Sequence, residues 1–308
     1  MRSFVKGKKV WVALSGGVDS AVAAALLKQA GAEVTGVFIK GWYPPGMPCT
    51  WAADRRDAMR AAAHLRIPFA TLDASAAYKA SVVDYLLSEY KAGRTPNPDV
   101  MCNRDIKFGV FYRFAKVQGA DYIATGHYRG GEKDQSYFLW AVPKEILAET
   151  LFPLGGMSKA EIRALARRYA LPVADKPDSQ GICFLGDISV KDLLKHEFGE
   201  NPAILYTLGE RAQGGYVVGK DVTKKEIRVA KSRLAAPVRS ISFSHPNWHR
   251  SLGEGIVAQY RYRGPLVSGK ISDNLFTTEA DLQELPVPGQ SIVFYREHEL
   301  VGGGIIEP

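Results

Sequence analysis

Six residues with the sequence Ser-Gly-Gly-Val-Asp-Ser, at positions 15–20, directly follow an apolar run at positions 10–14. The run predicts a buried parallel strand, and the spacing of apolar residues after it predicts a helix that closes at Gly31. A glycine-rich turn from a strand into a helix leaves backbone N–H groups at the positive end of the helix, where a phosphate group can bind. Asp19 and Ser20 are also well suited to cap this helix.

This turn lacks the Lys-Ser/Thr ending of a Walker A loop. A phosphate cradle without that lysine suits a site that holds pyrophosphate while the chemistry takes place at the α-phosphate. The six residues resemble the pyrophosphate loop, or PP-loop, of adenylating enzymes. The alternative is an ordinary glycine-containing turn between a strand and a helix. We favour the PP-loop because the residue types, the flanking segments and the position agree with it.

Cys102 follows a loop in which two closely spaced prolines prevent regular structure through Asn97. The helical pattern resumes near Arg104, so we expect the thiol close to a helix N-terminus, with Arg104 and Lys107 nearby. These conditions lower the pKa of a thiol and favour the nucleophilic thiolate. Asp99, three residues earlier, could be presented to the same substrate. The alternative is a small buried apolar residue beside a solvated charge cluster.

Cys183 lies between two glycines, Gly181 and Gly186, in a segment where the backbone could approach a ligand closely. Taken alone, it could equally be a packed core residue. Together with Cys102 it suggests a pair in which one thiol carries a sulfur atom and the other resolves the persulfide. We interpret Cys49 as structural. The spacing of the three cysteines argues against a disulfide scaffold and against a zinc site.

Apolar runs alternate with amphipathic stretches through residue 125. Strands are predicted at residues 9–14, 33–39, 67–72 and 121–125, and helices at 19–30, 52–65, 78–92 and 105–118. This alternation is typical of a parallel sheet wrapped by helices, with ligand chemistry at the carboxyl ends of the strands. Ser158 and Glu161 have the spacing of a capping box, which predicts a further helix over 158–169.

The pattern changes after about residue 205, where short alternating runs are separated by glycine, proline and polar turns. Such runs predict an antiparallel region, in the form of a barrel. Its strands are predicted at residues 215–218, 227–230, 238–243, 255–262, 266–271, 291–295 and 300–306. The break between the two regions is predicted at 188–206.

The net charge of +8 is concentrated in the first region. Residues 1–188 contain 25 Lys and Arg against 18 Asp and Glu, a net charge of +7. This excess fits contact with a phosphate backbone, although a merely basic surface is the alternative. No apolar stretch is long enough to span a membrane, and polar residues at 15–19 interrupt the one segment that imitates a secretory signal. We therefore expect a cytoplasmic protein.

Several segments, in this order along the chain, resemble the tRNA-specific 2-thiouridylases of the MnmA type: residues 15–20, 91–99, 102–108, 124–128, 133–139 and 181–184. Residues 288–291 and 302–307 resemble the C-terminal barrel of that family. The resemblance implies ATP-dependent replacement of the C2 oxygen of wobble uridine in tRNA by sulfur. It also implies Mg²⁺ with the nucleotide, and a sulfur donor that is a persulfide relay protein or a cysteine desulfurase.

The resemblance implies a role for each matching residue. Cys102 matches the nucleophile, Cys183 matches the cysteine that carries the persulfide, and the loop position of Asp99 adds it as a catalytic candidate. The positions that match ATP contacts are Ala13, Leu14, Ser15, Gly16, Gly17, Val18, Asp19, Ser20, Ile39 and Gly126. The target-base loop matches Asn97, Pro98 and Asp99, and the other tRNA contacts match His127, Lys133, Asp134, Gln135, Arg261, Tyr262 and Gln290.

Members of this family usually have a longer segment between the second cysteine motif and the barrel, and only a short remnant at 206–214 stands here. We therefore expect an α/β fold with a parallel sheet of the PP-loop adenine-nucleotide α-hydrolase type, a small linker and an antiparallel β-barrel. The predicted domains are residues 1–188, an abbreviated linker at 189–231 and the barrel at 232–308. Ile39 and Gly41 replace an expected methionine and asparagine.

Two other functions stay open on the sequence alone. A PP-loop ligase or amidotransferase acting on a small molecule explains the phosphate loop, but leaves both cysteine segments and the basic first region unexplained. An RNA-binding protein with a vestigial site explains the charge, but it does not explain why the loop and both cysteines are intact.

Overall fold

The computed structural model describes residues 2–47, 50–131, 134–177, 188–232 and 238–308. The chain forms two compact units. The first combines Met1–Ser81 with Met101–Ile188, and the second combines Val82–Val100 with Ser189–Pro308. A short internal segment therefore groups with the C-terminal residues and not with its neighbours in sequence. The three domain limits expected from the sequence stay a prediction.

The first unit contains a sheet of five parallel strands, β1 Lys9–Ala13, β2 Glu33–Lys40, β3 Phe69–Asp73, β4 Tyr122–Ala124 and β5 Thr150–Leu151. Their order is β3-β2-β1-β4-β5, so β1 lies at the centre. The strand order reverses between β1 and β4, and the carboxyl ends of the strands open a crevice at such a point. The predicted parallel sheet is confirmed. The sequence did not predict β5, which is only two residues long.

Helices cover this sheet and continue into the second unit. In chain order they are α1 Arg2–Val5, α2 Val18–Gln29, α3 Trp51–His64, α4 Ser75–Tyr78, α5 Asp84–Lys91, α6 Pro98–Met101, α7 Phe111–Val117, α8 Lys144–Ala148, α9 Lys159–Arg168, α10 Val190–Phe198 and α11 Pro202–Leu205. Two π-helical stretches, Lys79–Val83 and Cys102–Val110, join α4 to α5 and α6 to α7, and Ser136–Leu139 forms a 3₁₀ turn. None of the helices in the described part of the chain has the length and apolar character to cross a membrane.

Two apolar clusters hold α2 in place. In one, Leu27 of α2 packs with Val12 of β1 and Phe38 of β2. In the other, Val22 of α2 packs with Ile162 of α9. All these side chains are almost completely buried, and each contributes roughly 1.5–3 kcal/mol through removal from water. Because α2 is fixed on two sides, the loop that precedes it has a defined position.

The helical run that contains Cys102 begins at Pro98, earlier than the expected start near Arg104. Proline is favourable in the first turn of a helix because the N–H that it lacks would have no helical partner there. Asn97 assists, since its Oδ1 accepts a hydrogen bond of 3.4 Å from the amide of Val100. Cys102 therefore lies one turn inside the run, at the start of the π-helical stretch.

The second unit contains two antiparallel sheets. The smaller one consists of β6 Arg211–Ala212, β7 Gly215–Asp221 and β8 Glu226–Ala230. The larger is a closed barrel of β9 Ser240–Trp248, β10 Val257–Gln259, β11 Val267–Ser272, β12 Leu275–Thr278, β13 Ser291–Arg296 and β14 Glu299–Ile306. The barrel order is β10-β11-β12-β9-β14-β13, and its core includes Phe243, Phe276 and Phe294. The predicted antiparallel barrel is confirmed.

The sequence missed β12, which pairs with β11 through a two-residue turn. Asp273 and Asn274 in that turn have φ of 47° and 61°. Positive φ at both central residues defines a type I′ hairpin turn, which Asn and Asp tolerate better than other side chains. The Asp-Asn pair was therefore an available signal for the strand.

The predicted capping box at α9 is confirmed. Ser158 Oγ accepts the amide hydrogen of Glu161 at 3.3 Å, and Glu161 Oε2 accepts that of Ser158 at 2.7 Å. The same helix carries Lys159, whose ammonium group lies 2.6 Å from Asp19 of α2. Correct starting geometry of α9 thus contributes to the position of the loop before α2.

We expect Ser158→Ala to lower the free energy of unfolding by about 1 kcal/mol, because the helix loses its N-cap acceptor. Urea denaturation measures this change. Ser158→Thr is the matched control, since threonine retains the hydroxyl and is expected to retain most of the stability. Equal losses in both variants would contradict the assignment of the cap.

Candidate active site

The loop between β1 and α2 turns at Gly16, which has φ of 80°. A Cβ atom at this position would overlap the main-chain oxygen of Asp54, so only glycine fits. The hydroxyl group of Ser20 braces the loop from inside. Ser20 Oγ donates to the carbonyl oxygen of Gly17 at 3.2 Å and accepts the amide hydrogen of Ser15 at 3.2 Å. The loop therefore has its shape without a ligand.

The predicted side-chain cap of α2 is wrong. The N-cap residue is Gly17, which has no side chain with which to cap the helix. The helix begins at Val18, which places Asp19 and Ser20 inside the first turn, where neither can cap. The first amide groups of α2 thus keep their donor capacity, at the positive end of the helix. This arrangement favours an anionic ligand.

The expected nucleotide contacts lie at the carboxyl edge of three strands. Ala13 ends β1 and Leu14 follows it, Ile39 lies near the end of β2, and Gly126 lies two residues after β4. A Cβ atom at Gly126 would lie 2.9 Å from the amide nitrogen of Ser20, so the segment after β4 contacts the first turn of α2. The structure brings these residues to one place, while their individual roles stay predictions.

Two lysines that the sequence analysis missed anchor this edge. Lys159 pairs with Asp19 at 2.6 Å, and Lys176 pairs with both Asp54 and Asp57 of α3, at 2.9 and 2.7 Å. Burial lowers the pKa of Lys176, but the hydrogen bonds that its ammonium group donates to Asp57 and Asp54 outweigh burial and raise its pKa above the usual value. Nothing local in the sequence indicated these pairs, because each joins residues more than a hundred positions apart.

Cys102 is completely buried and forms no disulfide bond within the described part of the chain. Arg104, which was expected to act on the thiol, forms an ion pair with the neighbouring Asp105 at 2.8 Å. Asn103 donates from Nδ2 to the carbonyl oxygen of Phe138 at 3.0 Å. A completely buried thiol requires local movement before it can meet a substrate. Cys183 and Cys49 lie outside the described residues.

His127 joins the nucleotide edge to the helical run of Cys102. Its Nδ1 lies 2.9 Å from Thr125 Oγ1, and its ring centroid lies 5.7 Å from that of Phe108 in the π-helical stretch. Burial, and then the positive charge of Lys107, hold the pKa of His127 well below its usual value. The imidazole is therefore neutral at pH 7, and suited to hydrogen bonding rather than to phosphate attraction.

Two other expected tRNA contacts follow His127 in the same unit. Gln135 Oε1 accepts the amide hydrogen of Tyr128 at 3.0 Å, and Asp134 Oδ1 accepts that of Ser136 at 2.6 Å. The loop thereby folds back on the residue next to His127. Lys133 lies outside the described residues.

The remaining expected contacts lie in the second unit, and two groups can be distinguished. Arg261 forms an ion pair with Glu284, and Tyr262 lies under Arg263, whose guanidinium carbon is 5.2 Å from the ring centroid. Gln290 instead contacts the loop that contains the expected target-base residues Asn97, Pro98 and Asp99. Gln290 is thus placed beside that loop, whereas Arg261 and Tyr262 lie in the turn after β10.

The first unit is a PP-loop α/β domain with a glycine-rich loop at the point where its strand order reverses, and the second unit carries an antiparallel β-barrel. Two family models match the chain, the tRNA methyl transferase HUP domain over residues 8–187 and the aminomethyltransferase beta-barrel domain over residues 238–306. The tRNA-specific 2-thiouridylase MnmA of Akkermansia muciniphila is 38% identical, covering 97% of this chain and 98% of the relative. The chain belongs to the tRNA-specific 2-thiouridylase MnmA family.

Another relative is the tRNA-specific 2-thiouridylase MnmA of Streptococcus agalactiae, which is 38% identical over 97% of this chain and 95% of its own. Its alignment extends over 357 positions, whereas this chain has 308 residues, so the relative contains residues that are missing here. A solved complex of a 4-thiouridine synthetase with RNA and bound ATP is similar at 20% identity, with a TM-score of 0.44, over 64% of this chain and 53% of that chain.

We expect Gly126→Ala to weaken ATP binding about tenfold or more, because the new methyl group displaces the first turn of α2. Isothermal titration with ATP measures the affinity. Gly130→Ala is the matched control: its φ of 80° is strained for alanine, but its Cβ would meet no atom within 4 Å. Equal ATP affinity in the two variants would refute the contact argument.

We expect His127 to make the protein less stable as the pH falls from about 6.5 to 5. Below pH 6.5 the histidine of the unfolded chain is protonated, whereas His127 in the native protein stays neutral. The free energy of unfolding therefore decreases by up to about 1.4 kcal/mol per pH unit as the pH falls. Above pH 6.5 both states are neutral, and the effect vanishes. Urea denaturation at several pH values should show a shallower decrease for His127→Gln than for the wild type. The exposed His196→Gln is the control, and parallel curves for both variants would contradict the assignment.

Proposed function

We propose that this chain is an ATP-dependent tRNA-uridine 2-sulfurtransferase that replaces the C2 oxygen of wobble uridine by sulfur and gives 2-thiouridine. One observation supports this proposal above the others. The segment 125–127 contacts the start of α2 at Gly126, and contacts the helical run of Cys102 through His127. The phosphate loop side of α2 and the helical run that carries Cys102 thus both contact the same short segment. Membership of the MnmA family agrees with this reaction.

The PP-loop residues fit a nucleotide phosphate. The absence of Cβ atoms at Gly16 and Gly126 permits close approach of main chain to main chain, and the first amides of α2 lack a side-chain acceptor within the described residues. ATP bound there would supply the AMP that activates the uracil oxygen, because a carbonyl oxygen is a poor leaving group and a phosphate ester is a good one. Mg²⁺ would enter with the nucleotide and offset charge on its phosphates.

The two thiols complete the exchange of oxygen for sulfur. A persulfide on Cys183, loaded by a persulfide relay protein or a cysteine desulfurase, attacks C2 with its terminal sulfur, and AMP leaves with the original oxygen. The thiolate of Cys102 then attacks the inner sulfur of Cys183. The new Cys102–Cys183 disulfide releases the outer sulfur on the base, and a thiol reductant restores both cysteines.

The substrate is a base within a large polyanion, which agrees with the excess positive charge of residues 1–188. The base must leave the anticodon stack to reach the chemistry. Asn97, Pro98 and Asp99 are the proposed target-base loop. Asp99 Oδ1 is buried without a hydrogen-bond partner in the described part of the chain, so it has capacity for a donor from the substrate.

We expect purified protein with ATP, magnesium, a persulfide donor and unmodified tRNA to produce 2-thiouridine, detected by nucleoside mass spectrometry. Cys102→Ser and Cys183→Ser are expected to lose the product, because serine neither carries a persulfide nor resolves one. Cys49→Ser is the matched control and should retain activity.

Two outcomes would count against the proposal. Full activity of both cysteine variants would refute the two-thiol mechanism. Pyrophosphate release that is stimulated by a small amine or acid, but is indifferent to tRNA, would indicate a small-molecule ligase instead.

A further inference from the structure

A turn of the barrel holds the main chain of the loop that precedes α6. This barrel turn comprises residues 288–290, directly before β13. The side-chain amide of Gln290 donates to the carbonyl oxygens of Thr95 and Pro96, at 2.8 and 3.1 Å. In the opposite direction, the amide of Thr95 donates to the carbonyl oxygen of Pro288 at 2.8 Å. Three hydrogen bonds thus join two adjacent loop residues to the barrel turn.

Gly289 brings the two backbones together. Its φ is 92°, and a Cβ atom there would lie 3.0 Å from the nitrogen, carbon and oxygen of the Thr95 main chain. A side chain at this position would push the loop away. The barrel turn therefore fits Thr95 and Pro96 in two ways: it provides hydrogen-bonding groups, and Gly289 leaves space for their main chain.

The other end of the loop is supported by the small sheet of the same unit. A Cβ atom at Gly93 would lie 3.4 Å from Val222, the residue after β7, and Asn201 donates to the carbonyl oxygen of Val222 at 3.4 Å. Lys220 of β7 lies 5.9 Å from the ring centroid of Tyr90 in α5. The loop at 93–99 is thus fixed from the barrel turn and from the sheet.

The same loop and the first turn of α6 carry polar atoms that have no protein partner within the described residues. Thr95 is only 7% exposed, and its hydroxyl oxygen is one of them; Asp99 Oδ1 is the other. Burial of an unpaired polar atom is unfavourable, and a hydrogen bond from a ligand would offset that cost. The main chain of this loop is held by hydrogen bonds, while buried side-chain atoms lack partners. Such a loop is suited to present these atoms to a ligand.

We propose that Gln290 is a positioning residue: it sets the main chain of the target-base loop before the RNA arrives, so that Asn97 and Asp99 are presented in a fixed geometry. This inference rests on the proposed function, because it identifies residues 97–99 with the loop that receives the base. It differs from a direct contact of Gln290 with tRNA, since its side-chain amide nitrogen already donates to two loop carbonyls.

The experiment compares Gln290→Met, which keeps the length of the side chain and removes both donors, with the wild type. The matched control is Gln283→Met, at an exposed position of the barrel. Amide hydrogen exchange of the RNA-free protein is followed in a peptide that covers residues 93–99. Because Pro96 and Pro98 have no amide hydrogen, Thr95 contributes much of its signal. We expect exchange at Thr95 to become about tenfold faster in Gln290→Met, and unchanged in Gln283→Met.

Kinetics provide the second readout. We expect kcat for thiolation at saturating tRNA to fall about tenfold or more in Gln290→Met, with the Kd for tRNA unchanged, because a displaced loop misplaces a base that still binds. Gly289→Ala should change exchange and kcat in the same direction. Exchange within β13 and β14 verifies that the barrel of each variant is folded.

Three results would overturn the inference. Unchanged exchange at Thr95 in both Gln290→Met and Gly289→Ala would show that the turn does not hold the loop. A weaker Kd for tRNA with unchanged kcat would assign Gln290 to direct RNA contact. Faster exchange with kcat and Kd both intact would show that loop position is irrelevant to the reaction. If the wild type itself gives no thiolation, the proposed function fails, while the exchange data still decide whether the turn holds the loop.

Discussion

Close approach of main chain to main chain at two glycines is the constraint on which the candidate site depends. Gly16 lies against the backbone of Asp54, and Gly126 lies against the first turn of α2. Both approaches exclude any side chain, and both end on the loop that follows β1. Other features support that geometry: strand order places the loop at the centre of the sheet, and buried clusters fix α2. Lys159 joins α9 to Asp19 in the first turn of α2, and Lys176 pairs with Asp54 and Asp57 of α3.

The basic side chains of this site fall into two kinds, paired lysines and an uncharged histidine. Lys159 and Lys176 are neutralised by carboxylates on neighbouring helices, whereas His127 is uncharged because burial and Lys107 disfavour its protonated form. Cys102 is buried in a π-helical stretch, a geometry that occurs frequently at functional sites. This position therefore shields the thiol from solvent.

The two regions of the chain were predictable because their hydrophobic periods differ. The run at 10–14 and the alternation after residue 205 each indicate one kind of sheet, and both kinds are present. The cap of α2 was mispredicted because the helix begins at Val18, ahead of both candidate residues, which places Asp19 in the first turn. The start of the Cys102 run was placed too late because proline was interpreted as a breaker, although it is also a favourable first residue of a helix. Lys176 and the hydrogen bonds of Gln290 could not be predicted, since contacts between residues so distant in sequence leave no local pattern.

The course of the chain between its two units has a consequence for how such proteins can be rearranged. The backbone passes from one unit to the other after Ser81, after Val100 and after Ile188. A fragment that ended at residue 188 would retain α5 without the residues of the second unit, and Leu86 and Tyr90, only 1% and 5% exposed, would lose part of their cover. Newly bared apolar surface of this kind promotes aggregation. A chimaera that joins this barrel to another nucleotide-binding domain would therefore also need residues 82–100. A single junction between the two domains would not be sufficient.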